Sequence, residues 1–287
     1  MKNDFNIAGE NKGGKTYGCI IKLFDQSPEK PSVLAFLKEN VIFAGYIIPN
    51  IVNYGLDTDF FECFYAKNGR GDISFAATRY HDSAQVFCKE QDPSTVRNFV
   101  SLVKDKGIKR ISGNFDFVEQ MKAYFAEATF EEGKVAILDN KTVPGSQTRY
   151  PCLRADTMED FIKLAELLME DESFAKNYSV DSLSKQFYER SRSKNGRNYY
   201  ISDDKGVVLC HVGTYAECSD LAVIGGVKTR NGFYGNGYAT ALICYLKNIL
   251  GKEGKSIILY FYDPELLSFY NRFGFLQLES CAKIELF

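Results

Sequence analysis

Between Val227 and Leu242 a short apolar strand pattern, Val227-Lys228-Thr229, runs through Arg230-Asn231-Gly232-Phe233-Tyr234-Gly235-Asn236-Gly237 into a helical pattern that begins at Tyr238-Ala239-Thr240. Glycines at 235 and 237 bare the backbone, so N–H groups can come close to a ligand. The first turn of the helix adds unpaired amides and about half a unit of positive charge. Together they make a seat for a diphosphate that needs no lysine. A strand-to-helix turn with glycines for geometry alone is the competing reading, and the loop by itself leaves both open.

Two neighbouring stretches narrow the choice. The strand before the loop carries Ile224-Gly225-Gly226-Val227, and an interior Gly pair weakens a strand unless backbone must lie close to something. After the helix, Leu259-Tyr260-Phe261-Tyr262-Asp263-Pro264 leads to Phe269-Tyr270-Asn271-Arg272-Phe273-Gly274-Phe275. In order and spacing these segments resemble the GNAT superfamily of N-acetyltransferases. Its phosphate loop reads (Q/R)-x-x-G-x-(G/A), and its later strand and helix end in a tyrosine a few residues before Gly-Phe. Leu153-Arg154-Ala155 with Asp160 looks like the usual opening of that domain, so the resemblance covers about residues 150–287. Two positions depart from the pattern: the Q/R place falls on Gly232, and Asp263 stands where the family often has Asn. The first removes one side chain from the phosphate loop and weakens binding, because backbone amides hold most of the phosphate. The second is explained by Asp263 capping the helix that Pro264 starts.

The resemblance implies a mixed α+β sheet of the GNAT-like acyl-CoA N-acyltransferase fold, splayed between the strand ending near Thr229 and the strand starting near Ser256. Acetyl-CoA would lie in that opening, with Val227, Thr229, Tyr234, Gly235, Asn236, Gly237, Tyr238, Ala239 and Thr240 as its binding positions. The diphosphate would rest on Tyr234 to Ala239. The thioester carbonyl would lie along Val227, whose N–H would stabilise the oxyanion as an amine attacks. Tyr270 is the leaving-group candidate. Full proton transfer from a phenol near ~10 to a thiolate near ~8.5 is uphill by roughly 2 kcal/mol, so a strengthening hydrogen bond to sulfur is the better role. Without the resemblance, Tyr270 reads as a core aromatic beside Phe273 and Leu266.

For the general base, Glu217 is the candidate, in a turn shared with Asp220; a solvated turn charge explains it as well. His211, within Leu209-Cys210-His211-Val212, reads as a satisfied strand residue, Cys218 as a bystander thiol, and Arg70 as part of a plain hairpin turn. The expected activity is transfer of an acetyl group from acetyl-CoA directly to a primary amine of a small molecule or an exposed amino group. A catalytically silent acyl-CoA-binding or regulatory module is the alternative. A nucleotide P-loop is poorly supported, since no G-x-x-x-x-G-K-[ST] occurs near the glycines.

The elements that must position these residues follow from periodicity. Three strands are expected at Asn198–Ile201, Val207–Tyr215 and Leu221–Thr229. A long helix presents Ala239, Leu242, Ile243, Leu246, Ile249 and Leu250, and a buried strand covers Ser256–Tyr262. Phe275–Phe287 reads as a closing hairpin. Upstream, Asp156 is expected to cap a helix with Phe161, Leu164, Ala165 and Leu168 on one face, and a second helix spans Val180–Arg192. Lys141–Tyr150 is polar and aperiodic around Pro144-Gly145, which makes it the linker between an N-terminal mixed α/β domain (1–140) and the acetyltransferase-like domain (151–287). The first domain carries a meander from Phe60 to Cys88, a helix capped by Asp92, a strand at Ile108–Ile111, a helix at Phe115–Phe125 and a strand at Val135–Leu138. Both halves share an outline, and the GNAT superfamily includes tandem forms with a degenerate first copy. Such a domain would shape the acceptor side or a homodimer contact.

With 287 residues and 45% hydrophobic composition, the chain is long enough for two such domains. A formal charge of −2 argues against a nucleic-acid partner. Eight cysteines without a C-x-x-C pair and two histidines argue against a metal site and read as reduced thiols. The N-terminal residues are polar, and the most apolar window, Val41–Val52, is too short to span a bilayer. The expected setting is cytoplasmic, without a membrane partner.

Overall fold

Each half of the chain runs through the same succession of elements. The first contains β1 (Ile21–Leu23), α1 (Lys30–Glu39), α2 (Ile47–Tyr54), β2 (Phe61–Lys67), β3 (Ile73–Tyr80), β4 (Ser83–Cys88), α3 (Pro93–Asp105), β5 (Arg110–Asn114), α4 (Phe115–Gln120) and β6 (Thr129–Leu138). The second contains β7 (Leu153–Ala155), α5 (Met158–Leu168), α6 (Glu172–Asn177), α7 (Val180–Arg192), β8 (Asn198–Ser202), β9 (Val208–Glu217), β10 (Leu221–Thr229), α8 (Tyr238–Lys252), β11 (Ser256–Phe261), α9 (Leu266–Asn271) and β12 (Gln277–Glu285). Apart from the added α6, the order is that of an internal repeat. These elements come from a computed structural model that describes residues 18–56, 58–90, 92–138, 149–275 and 277–286. The polar N-terminal residues to Tyr17 and all of the expected linker except Arg149 and Tyr150 lie outside the described residues.

Local signals act much as their chemistry predicts. Asp92 accepts hydrogen bonds from the Ser94 and Thr95 amides and starts α3 at Pro93. Thr157, rather than Asp156, caps α5, because its hydroxyl and the Asp160 carboxylate form a reciprocal capping box. Phe161, Leu164, Ala165 and Leu168 are all buried beneath that helix. The helix expected at Phe115–Phe125 is regular only to Gln120 and tightens into a 3-10 turn over Met121–Tyr124. The strand before it begins at Arg110 instead of Ile108, and β6 begins at Thr129 instead of Val135.

The largest departure concerns the tail, which is one nine-residue strand and not a hairpin. The twelve strands of the described residues form one sheet in the order β1-β2-β3-β4-β5-β12-β6-β11-β10-β9-β8-β7. The order reads the same from both edges, so an approximate two-fold relates the halves. Each half gives its last strand to the other. β6 pairs antiparallel with β11 of the second half (Ile257↔Leu138 to Phe261↔Lys134), and β12 pairs antiparallel with β5 of the first (Cys281↔Asn114 to Glu285↔Arg110). At the centre β6 and β12 lie against each other from Gln277↔Ile137 to Glu285↔Thr129. One buried cluster accordingly mixes Leu23, Phe87 and Val135 with Ala216, Val223, Ile258 and Cys281. A second packs α8 and α9 onto the other face through Leu242, Leu246, Leu259, Phe261 and Tyr270.

Candidate functional site

β10 and β11 run parallel and pair from Leu221↔Ser256 to Ile224↔Leu259. Both strands continue, to Thr229 and Phe261, without pairing again. On the other side of β10, the ladder with β9 passes from Gly225↔Gly213 to Lys228↔His211, stepping over Gly226 and Val227. Those two residues therefore have no register partner on either neighbour, and their backbone faces a gap between diverging strands. The Gly225-Gly226 pair has a reason in the fold itself: a Cβ on Gly226 would stand 2.1 Å from Tyr215 Oη.

The loop beyond β10 is held at its base and open at its tip. Glu170 accepts from Arg230 Nη1 at 2.6 Å and from the Asn231 amide at 3.0 Å. Gly235 and Gly237 both have φ of 80°, a backbone that side chains with a Cβ rarely adopt. Gly237 is the N-cap of α8 and supplies no side-chain acceptor. Among the described residues, the amides of Tyr234 through Thr240 meet no protein acceptor. Here Tyr150 donates its hydroxyl to Asn236 O at 2.8 Å and packs its ring 4.7 Å from that of Tyr238. Arg149 reaches the same carbonyl with Nη2 at 3.4 Å and brings a guanidinium to a loop where Gly232 has no side chain. Spacing could not reveal Arg149, which lies in the expected linker, 87 residues before Asn236.

The equivalent place in the first half is shut. β4 and β5 pair in parallel from Ser83↔Arg110 to Val86↔Gly113, and a Cβ on Gly113 would stand 2.2 Å from Val86 O. Beyond that pair Asn114 bridges the strands: Cys88 N donates to Asn114 Oδ1 and Asn114 Nδ2 donates to Cys88 O, both at 3.0 Å. The amides opening α3 are taken by the Asp92 carboxylate, which puts a negative charge where the second half offers bare N–H groups.

Tyr270 lies on α9, 5% exposed, with its ring against Phe261, Phe269 and Phe275. Phe261 is on the diverging end of β11, so Tyr270 stands beside the gap on the α8 face. Burial pushes its phenol up to about 12. Lys247 Nζ ties α8 to this turn by donating to Phe273 O at 2.7 Å. Glu217 is not brought to these groups. It pairs with Ala222, seven residues before Thr229 and thus roughly 23 Å away along the strand. Arg197 grips its carboxylate through Nε and Nη2 at 2.8 and 2.7 Å, Lys255 Nζ stands at 2.7 Å, and Thr214 donates as well. Burial alone would raise its pKa, but the hydrogen bonds from Arg197, Lys255 and Thr214 outweigh it and hold it below the usual range.

His211 is fully buried and donates from Nδ1 to Gly226 O at 2.7 Å, with the Asn198 carboxamide 3.0 Å from Nε2. It props the bulged strand from behind, and burial lowers its pKa to about 4. Cys218 donates to Asp220 at the same remote end as Glu217, and burial pushes its thiol up to about 11, which makes it a poor nucleophile. Among the described residues no group of three or more His, Cys, Asp or Glu could hold a metal ion, and no helix is long and apolar enough to cross a membrane.

No protein-family model matches this chain, and no curated protein matches it in sequence. Solved structures match its architecture. A Drosophila protein superposes with a TM-score of 0.66 at 11% identity, covering 94% of this chain and 98% of its own. A tandem GNAT protein from the clavulanic acid biosynthesis pathway gives 0.55 at 12% identity over 93% and 98% of the two chains. A GCN5-related N-acetyltransferase from Kribbella flavida gives 0.51 at 13%, covering 74% and 86%. The fold is thus the GNAT fold, present twice in tandem.

Proposed function

We propose that this chain is an acetyl-CoA-dependent N-acetyltransferase whose second half holds the donor. One observation carries the reading: unpartnered amides from Tyr234 to Thr240 open onto strands that part after Ile224 and Leu259. These amides and the α8 dipole would bind the diphosphate, with Arg149 adding a cation. Thr229 and the Val227 backbone would line the acyl arm. The Val227 amide would hold the carbonyl oxygen as it gains charge. The lone pair of a primary amine attacks the thioester carbon, the C–S bond breaks, and the electron pair leaves on sulfur. Tyr270 stays protonated and hydrogen-bonds that sulfur, and the proton lost by the amine passes to water. Glu217 has no part in this scheme, since its carboxylate is committed to Arg197 and Lys255.

The test is release of free thiol from acetyl-CoA by the full-length chain, with and without a panel of primary amines. Acceptor-dependent release is expected. Coenzyme A binding without such release would favour the silent acyl-CoA-binding module, a reading supported by the commitment of the Glu217 carboxylate to Arg197 and Lys255.

A further inference from the structure

Five polar side-chain atoms are buried without a hydrogen-bond partner among the described residues: Tyr54 Oη, Tyr80 Oη, Gln85 Nε2, Arg190 Nη1 and Tyr215 Oη. All five residues line one cavity of about 420 Å³ between the two halves. Burying such a group unpaired is costly, so finding five of them together around one hole indicates a polar occupant. The cavity extends to Gly225 and Gly226, where β10 leaves β11, and is walled elsewhere by the rings of Tyr46, Tyr178, Tyr260 and Tyr262.

Arg190 supplies the charge. It projects from α7, is 8% exposed, and lies 4.8 Å over the Tyr215 ring. Its Nη2 donates to Gln186 Oε1 at 3.0 Å. The other cations of the cavity have acids of their own: Arg110 pairs with Asp82 at 2.5 Å, and Lys283 pairs with Glu131 at 3.1 Å and Glu285 at 3.6 Å. Among the described residues no carboxylate pairs with Arg190. An arginine cannot shed its proton to escape burial, so the fold keeps an uncompensated cation here.

We propose that the acceptor amine also bears a carboxylate, which Arg190 Nη1 receives together with the hydroxyls of Tyr54, Tyr80 and Tyr215. The substrate class is a free amino acid or similar small amino-carboxylate. Its anion sits between the halves and its amine points toward Gly226. The inference rests on the transferase reading above and assigns its acceptor.

Two measurements on the full chain test it. Thermal unfolding is followed with a panel of N-acetyl amino acids and the same compounds as carboxamides. The carboxylates are expected to raise the melting temperature and the carboxamides not to. Arg190→Met is expected to abolish that shift while keeping the shift given by coenzyme A. Tyr80→Phe, which removes a hydroxyl that lacks a partner, serves if Arg190→Met does not fold, and should weaken the carboxylate effect several-fold. Turnover is then compared between amino acids and their decarboxylated amines, with kcat/KM expected to be at least tenfold higher for the amino acids. Equal shifts by carboxylate and carboxamide, no shift by either, a wild-type shift in both variants, or faster turnover of the decarboxylated amines would overturn the proposal. If coenzyme A gives no stabilisation, the transferase reading fails. A carboxylate-selective shift lost in Arg190→Met would then still establish the anion site.

Discussion

Ile224 and Leu259 are the last partners of a parallel ladder, and the strands that carry them separate beyond this pair. Val86 and Gly113 hold the same rank in the first half, yet there Asn114 clips the strands together one residue later. The two halves thus share a plan and differ in whether the wedge is open. The open wedge faces a glycine loop with bare amides, and the closed one faces a helix already capped by Asp92.

Gly237→Glu places a carboxylate on the phosphate seat and a Cβ on a residue with φ of 80°. The backbone strain costs about 1–2 kcal/mol, which a chain of this size survives. Calorimetry should detect no coenzyme A binding by the folded variant, and wild-type affinity would remove the seat from the loop.

Tyr270→Phe should lower kcat roughly 10- to 100-fold with little change in the KM for acetyl-CoA, since the hydroxyl acts only as sulfur gains charge. Because burial pushes this phenol up to about 12, it remains protonated through pH 10, and the rate should not decline between pH 8 and 10 on its account. An unaltered kcat in the variant takes Tyr270 out of the reaction.

Coenzyme A should bind once per chain. In the first half the Asp92 carboxylate occupies the helix amides and Asn114 closes the gap, so a second site has neither charge nor room. A titration that ends at two equivalents contradicts this account of the closed wedge.

Glu217→Gln should destabilise without disabling. The change leaves Arg197 and Lys255 with Glu253 as their remaining acid and a neutral amide in the buried place, a loss on the order of 2 kcal/mol or roughly 4–8 °C in melting temperature. Turnover measured well below that melting point should stay close to wild type. A collapse in kcat with unchanged stability would return Glu217 to the chemistry.

His211 predicts an acid sensitivity. Its folded pKa, about 4, is below the ordinary value near 6.5, so the unfolded chain takes the proton first. Stability from this group is complete above pH 6.5 and declines as pH falls toward 4, by about 3 kcal/mol over the whole range. Between pH 6.5 and 4.5, before most carboxylates titrate, the melting temperature should drop in the wild type and stay flatter in His211→Asn.

The residues that read correctly from sequence are those whose partners are close along the chain. The glycine loop, the Asp92 cap, the α5 and α8 faces and the three strands around His211 each follow from spacing within one or two elements. Asp156 failed as a cap only because Thr157, next to it, has its reciprocal partner in Asp160. Periodicity says that a segment is extended and which face is apolar, but not which strand it will lie beside. The tail was therefore expected to pair with itself, whereas β12 crosses to β5 and β6 crosses to β11.

Order along the chain determined that a strand, a bare-amide loop and a helix succeed one another, because helix capping and glycine torsions are local matters. Tertiary structure decided everything that joins distant segments. It committed Glu217 to Arg197 and Lys255, brought Arg149 to Asn236, and gathered Tyr54 and Tyr80 of the first half around Arg190 of the second. Such meetings depend on how a twelve-stranded sheet closes the apolar faces of both halves at once, a global condition that no short window of residues carries.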